Sequence, residues 1–265
     1  LLYLATYSYD QLLLHDVSAA TEHNSPFTVF VYIDSDWVMD IHHCHSITVI
    51  ITKLAGAAAI SCSRLYVSLG AKKENIVMCD RSGVIRADRE KIDPIKAEFV
   101  TKRDLHTLEE AMKDSDVFIG LSSADCVSVE MLKSMAKNPI VMAMANPNPE
   151  IAYDLAISSR KDIIMATGRS DYPNQVNNVL CFPYIFRGAL DCGATKITDA
   201  MKIACVREIA DLAKLEVTAE VQAAYPGLDL AFGVDNIIPK PFDTRLIQRI
   251  APAVARADCR LTSAA

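Results

Sequence analysis

From Ile47 onward the chain alternates short runs rich in Val, Ile and Met with segments of helical spacing, and that alternation restricts it to βαβ units around a mainly parallel sheet. The runs are Ile47–Thr52, Ile76–Cys79, Val117–Ile119, Ile140–Met144 and Ile163–Met165. Each is nearly continuous in apolar residues, as expected of strands covered on both faces. Between them, Ala57–Leu69, Thr107–Lys113, Ser128–Met135 and Pro149–Ile157 are predicted helices, and Thr107-Leu-Glu-Glu110 has the spacing of a capping box. A longer helix is predicted over Asp199–Lys214, with Met201, Ala204, Cys205, Ile209 and Leu212 spaced for one buried stripe. A last helix is predicted over Thr244–Ala255, interrupted near Pro252, after a proline-bracketed turn at Pro239–Phe242. The expected fold is a Rossmann-like, doubly wound α/β domain over 46–257, followed by a tail, 258–265. Residues 1–45 hold five of the six histidines and the only Trp but no clear periodicity, and no block in them pairs with the sheet. They are expected to form an irregular arm.

With 265 residues the chain can bury one large core. Its net charge of −6 and the lack of any long Lys/Arg cluster argue against nucleic acid as a partner. Although 51% of the residues are hydrophobic, they come in short blocks, and no stretch has the roughly 18 apolar residues of a membrane span. The eight cysteines form no C-x-x-C pair and mostly sit inside apolar runs, so reduced, buried thiols in a cytoplasmic protein are expected. The first residues show no export signal.

The turn after the first strand leads into a helix. A dinucleotide-binding fold places G-x-G-x-x-G/A there, so that a tight turn brings backbone N–H groups and a helix N-terminus against a pyrophosphate. Here the pattern is Leu54-x-Gly56-x-x-Ala59, within Ala55-Gly56-Ala57-Ala58. The middle glycine and the small third residue are kept, but the first glycine is Leu54, whose Cβ opposes a turn that needs φ > 0 and is expected to weaken cofactor affinity. A small-residue helix packed on a sheet would read the same way. Asp80 ends the next strand 24 residues beyond Gly56, close to the spacing of about 20 for the acid that bonds an adenosine ribose. It could equally cap the following turn, and Arg81 beside it could attract a 2′-phosphate, which leaves NAD against NADP open. Two later strand ends open into Ala145-Asn-Pro-Asn-Pro-Glu150 and into Ala166–Asn178, offering amides, hydroxyls and an Arg to a polar ligand, although turns rich in Asn and Pro share this composition.

At these loops the sequence resembles the bacterial-type malic enzymes. Ala166-Thr-Gly-Arg-Ser-Asp-Tyr-Pro-Asn-Gln-Val-Asn-Asn178, continued by Cys181-Phe-Pro-Tyr-Ile-Phe-Arg-Gly-Ala-Leu190, matches a segment of that family, as does Ala145–Glu150. The likeness also takes in Leu65–Gly83, Lys96–Phe99, Asp116–Ser123, Met201–Ala213 and Phe242–Val254. It implies oxidation of malate to oxaloacetate by hydride transfer to NAD or NADP, then decarboxylation to pyruvate assisted by Mg2+ or Mn2+ as a Lewis acid. A homo-oligomer is also expected. Asn146 and Asn178 match amides that contact malate or the nicotinamide end of the cofactor. Ala55, Gly56, Ala57, Ala58, Asp80, Arg81, Ser122 and Asn146 match the cofactor site. Another oxidoreductase of a 2-hydroxy acid is disfavoured by the number of consecutive matches.

The departures lie at the N-terminal end. The family carries a Tyr general acid, a Lys general base and a carboxylate cluster for the metal ahead of the nucleotide domain, and residues 1–45 offer no counterpart of the Tyr and Lys. Loss of a positioned proton-transfer group typically costs about 10²–10⁴-fold in rate. Val38-Met-Asp-Ile-His42 resembles the end of the family's metal motif, which makes Asp40 the remaining metal carboxylate. The run His43-Cys-His45 then replaces Gly-Thr-Ala-Ile, a change that a shifted reading frame produces, so residues 1–46 read as a garbled remnant of the catalytic region. Zinc binding by this run is disfavoured, because adjacent residues cannot all point at one ion. Two functions follow: a malic enzyme completed by residues from elsewhere, or a catalytically incomplete NAD(P)-binding fragment of that family.

Overall fold

A computed structural model of the chain describes the backbone of residues 32–33, 37–38, 49–52, 57–121 and 123–262, and the side chains of 58–121 and 123–257. The chain divides into two compact units, one over Ser46–Asn177 and one that includes Asn178 onward, and each is described by itself.

In the first unit the strands are β1 (Val49–Thr52), β2 (Ile76–Asp80), β3 (Gly83–Val84), β4 (Val117–Gly120), β5 (Ile140–Ala143) and β6 (Ile164–Thr167). They form one six-stranded sheet in the order β3-β2-β1-β4-β5-β6. β1 pairs in parallel with β2 (Val49 opposite Ile76) and β4 (Val49 opposite Val117), and β5 joins β4 to β6 in the same sense. This is the strand order of a Rossmann sheet, reversing direction between β1 and β4. Its third position departs from the usual parallel strand: β3 is a two-residue antiparallel return from β2, with Cys79 opposite Val84. Among the described residues, Tyr32–Ile33 and Trp37–Val38 pair with each other as a separate two-stranded ladder.

The five predicted strand runs are all present, with ends shifted by one or two residues. Every residue of β4, β5 and β6, and the first four of β2, is buried. The continuous apolar runs are thus explained by helices on both faces. Val77, Phe118, Val141 and Met165 share one core with Met112, Leu132 and Ile151, each such burial contributing roughly 1.5–3 kcal/mol.

The helices of this unit are α1 (Ala57–Ser68), α2 (Leu108–Met112), α3 (Val129–Ser134) and α4 (Tyr153–Ser159). Thr107 caps α2 in the expected capping box with Glu110, and Ser128 Oγ accepts the Met131 N–H to cap α3. Pro149–Ile157 was a helix by spacing, but α4 starts only at Tyr153, because Pro149 and Glu150 fold back to close the preceding loop.

The second unit contains α5 (Phe182–Asp191), α6 (Asp199–Ala213), α7 (Ala219–Ala224) and α8 (Arg245–Thr262). In α6, Met201, Cys205, Ile209 and Leu212 are buried as the spacing predicts, Val206 and Ala210 widen the stripe, and Ala204 is only half-buried. The break expected near Pro252 does not occur, and α8 runs unbroken through it. Pro252 faces solvent while Leu246, Ile250, Ala251 and Val254 are buried, so packing on the inner face outweighs the lost backbone hydrogen bond. No helix among the described residues is long and apolar enough to cross a membrane.

Candidate functional site

The hairpin from β2 to β3 positions Asp80. Gly83 has φ +98°, and a Cβ there would lie 2.2 Å from the His106 carbonyl oxygen, so only glycine allows this tight return. Asp80 Oδ1 accepts the Ser82 N–H at 2.9 Å, the turn-capping role that the sequence left open. Its carboxylate also takes Arg89 Nη1 at 2.9 Å and Lys96 Nζ at 3.0 Å, an arrangement that sequence spacing does not suggest. Burial pushes the Asp80 carboxyl up, but the hydrogen bonds from Lys96, Ser82 and Arg89 outweigh it and hold the group below its ordinary value. Arg81 next to it is exposed. Arg89 Nη2 is buried with no hydrogen-bond partner among the described residues, a donor that an anionic ligand would satisfy.

The loop after β5 is closed by its own last side chain. Glu150, fully buried, accepts the Ala145 N–H on Oε2 at 3.0 Å, and its carbonyl accepts the Val127 N–H at 3.0 Å. A Cβ at Gly120, the end of β4, would lie 2.2 Å from Glu150 Cδ, so this glycine makes room for the carboxylate. Asn146, joined to Pro147 by a cis peptide bond, is left exposed between the two pinned ends of the loop.

The loop after β6 folds back on its strand. The buried Thr167 accepts the Val176 N–H on its carbonyl at 2.8 Å, and Asn174, at φ +54°, donates from Nδ2 to the Met165 carbonyl at 3.0 Å. A Cβ on Gly168 would come within 3.1 Å of Asn146 Nδ2, so the glycine lets the two loops meet. Farther along, Arg169 pairs with Asp171 at 2.6 Å and lies 5.3 Å from the centre of the Tyr172 ring, which stacks on Tyr153 at 4.5 Å. The carboxyl ends of β2, β5 and β6 therefore carry cations, amides and aromatic faces where an open α/β sheet takes its ligands.

The other expected residues are placed less fully. Ala57 begins α1 and Ala58 is half-buried in it, while Asp40, Leu54, Ala55, Gly56 and Ser122 lie outside the described residues. Asn178 is exposed and opens a short 3-10 turn, Asn178–Leu180, in the second unit. Burial raises the Cys79 thiol to about 12, and burial with the Glu150 charge raises Cys126 to about 11, so neither is a nucleophile at neutral pH. Among the described residues no group of His, Cys, Asp and Glu is placed to hold a metal ion.

Comparison with known proteins adds identity to this geometry. The family model described as "Malic enzyme, NAD binding domain" matches residues 50–235. The NADP-dependent malic enzyme of Halomonas elongata is 53% identical over 203 residues, which are 77% of this chain and 48% of that protein. The NAD-dependent malic enzyme of Rhizobium meliloti is 51% identical over 209 residues, 78% of this chain and 27% of that protein. Among solved structures, Entamoeba histolytica malic enzyme superposes with a TM-score of 0.69 at 34% identity, covering 84% of this chain and 44% of that one. The chain thus spans half or less of the length of these relatives.

Proposed function

The chain belongs to the malic enzyme family through its NAD-binding domain, and from that premise we propose that it binds NAD(P) and serves the oxidative decarboxylation of malate to pyruvate and carbon dioxide. The observation that carries the cofactor half of this reading is the cluster at the end of β2. Asp80 is the acid expected to meet an adenosine ribose, yet its carboxylate is already held by Arg89 and Lys96. Two cations hold one carboxylate and Arg81, next in sequence, is exposed, a surplus of positive charge that favours a 2′-phosphate over a bare 2′-hydroxyl and hence NADP over NAD. Arg89 Nη2, without a hydrogen-bond partner among the described residues, fits the same anion.

The bound cofactor supplies the hydride acceptor. The chain's own residues hold and orient it: Ala55, Gly56, Ala57 and Ala58 at the pyrophosphate, and Asp80, Arg81 and Ser122 elsewhere along the cofactor; Asn146 and Asn178 are each assigned to malate or the nicotinamide end. The divalent ion, Mg2+ or Mn2+, is assigned to Asp40 and would supply a Lewis acid for the decarboxylation. We take 46–257 as one NAD(P)-binding domain, supported by a family match that runs through both compact units, with 1–45 as the arm and 258–265 as the tail. A cytoplasmic homo-oligomer without nucleic acid or membrane partners completes the reading.

Incubating the purified chain with malate, Mn2+ and NADP and assaying pyruvate tests the activity. Turnover supports an enzyme whose acid and base lie outside the matched region, whereas cofactor binding without pyruvate supports the incomplete-fragment reading. Cofactor choice has its own test. Lys96→Ala is expected to weaken NADPH binding about tenfold, the worth of roughly 1.5 kcal/mol for one hydrogen bond to a charged group, and to leave NADH within about twofold. Equal loss for both cofactors, measured by fluorescence titration, would remove Lys96 from the 2′-phosphate site.

A further inference from the structure

All six cysteines with described side chains are reduced, and two of them face each other. Cys181 Sγ and Cys205 Sγ lie 3.4 Å apart in the second unit, at 5% and 0% exposure. Cys181 immediately precedes α5, and its N–H donates to the Asn178 carbonyl at 3.1 Å. Cys205 sits in the middle of α6, on the buried stripe with Met201 and Ile209. Nothing in the proposed malate chemistry uses either thiol.

We propose that Cys181 and Cys205 form a modification site, a dithiol that hydrogen peroxide or a comparably small peroxide oxidises to an intramolecular disulfide. Three features carry this. The sulfurs already point at one another, and a bond of about 2.0 Å requires them to close by only ~1.4 Å. Burial keeps out bulky thiols and so prevents mixed disulfides, while peroxide is near the size of water. The two thiols also share one hydrogen bond, which holds the Cys181 thiol below its ordinary value against its burial and, with burial, pushes Cys205 up. Cys181, at 5% exposure against 0%, is the sulfur that a peroxide reaches first, and Cys205 is the resolving one.

The electron count closes without a further reagent. The Cys181 thiolate displaces hydroxide from the peroxide, forming an S–O bond as the O–O bond breaks, and the hydroxide takes up the proton that Cys181 released. Cys205 then attacks the resulting sulfenic sulfur. The S–S bond forms as the S–O bond breaks, and the oxygen leaves as water with the Cys205 proton. Two thiols are oxidised by two electrons in total, and one peroxide becomes two waters. The product ties the turn that carries Asn178 to α6.

The test uses the unaltered full chain. After exposure to hydrogen peroxide, the protein is unfolded, alkylated, and examined by intact mass and peptide mapping. The expected result is loss of two alkylation sites, a mass lower by two hydrogens before alkylation, and a single Cys181–Cys205 cross-link that dithiothreitol reverses, with the circular dichroism of the folded chain preserved. Cys205→Ser should abolish the cross-link and leave an oxidised Cys181. Both thiols remaining alkylatable, cross-links to other cysteines, or a cross-link that forms only as the dichroism is lost would each overturn the proposal.

Discussion

Replacing Arg160 with alanine is expected to destabilise the 46–177 unit by about 3 kcal/mol, the range for removing one member of a buried ion pair, with a fall in Tm of roughly 10 °C. The guanidinium is 12% exposed and does two jobs. Its Nε and Nη2 grip Asp162 at 2.6 and 2.9 Å. Its Nη1 donates to the Leu132 and Met135 carbonyls at 3.0 and 3.1 Å, and Nη2 also donates to the Ala136 carbonyl. The Leu132 carbonyl also accepts the Met135 N–H, while the Met135 and Ala136 carbonyls lie just past α3, so one side chain closes a helix terminus that has no capping glycine. Arg160→Ala leaves them and a partly buried carboxylate without their main donor. The same pair sets a pH dependence. The hydrogen bonds from Arg160 hold the Asp162 carboxyl at about 2, against an ordinary value of 3.8. A depressed folded-state value contributes stability that is fully present above the unfolded value and is lost as pH falls from about 4 toward 2. Urea unfolding across that window should show the decline in the parent chain and a flatter profile in Arg160→Ala. A loss under about 1 kcal/mol at neutral pH would place Arg160 among ordinary surface residues.

Gly188→Ala should also destabilise, by about 2 kcal/mol, although alanine favours a helix over glycine by nearly 1 kcal/mol. Gly188 lies at the contact of α5 with α8, where an added Cβ would meet the Ala251 carbonyl oxygen at 2.4 Å and Val254 Cβ at 2.7 Å. The first obstacle is helix backbone, which cannot swing aside, so the two helices must separate and expose part of the face formed by Ile185, Ala189, Ile250 and Val254. Gly193→Ala is the contrasting position, with nothing within 4 Å of its added Cβ, and there only the strain of φ +68° applies. Equal or higher stability of Gly188→Ala by thermal unfolding would show that the helix contact has slack.

What could be read before folding depended on the range over which each signal acts. The strands were legible because covered sheets require unbroken apolar runs, as in Ile140–Ala143. The capping box at Thr107 and the stripe from Met201 to Leu212 were legible because their partners lie within a few residues. The β3 return was not, since two residues carry no period. Nor was α5, whose run Cys181–Leu190 carries a family likeness but no clear helical signal beyond Pro183 near its start. Pro252 misled in the other direction, because tertiary contact decides whether a helix survives a proline.

At the site, Asp80, Asn146 and Asn178 stood out by residue type and family likeness. Their supports did not. Arg89 and Lys96 reach Asp80 from 9 and 16 residues away, and Glu150 matters through a bond to Ala145 and the gap left by Gly120. Such charge pairs and glycine clearances are set by the folded chain and leave no local pattern.

The central claim, that this chain is an NAD(P)-binding domain with a preference for NADP, is tested most directly by fluorescence titration of the purified full chain with NADPH and with NADH. Saturable binding of both, tighter for NADPH and weakened by added NADP, is the predicted result. No saturable binding of either cofactor by a chain with the circular dichroism of an α/β protein would contradict it.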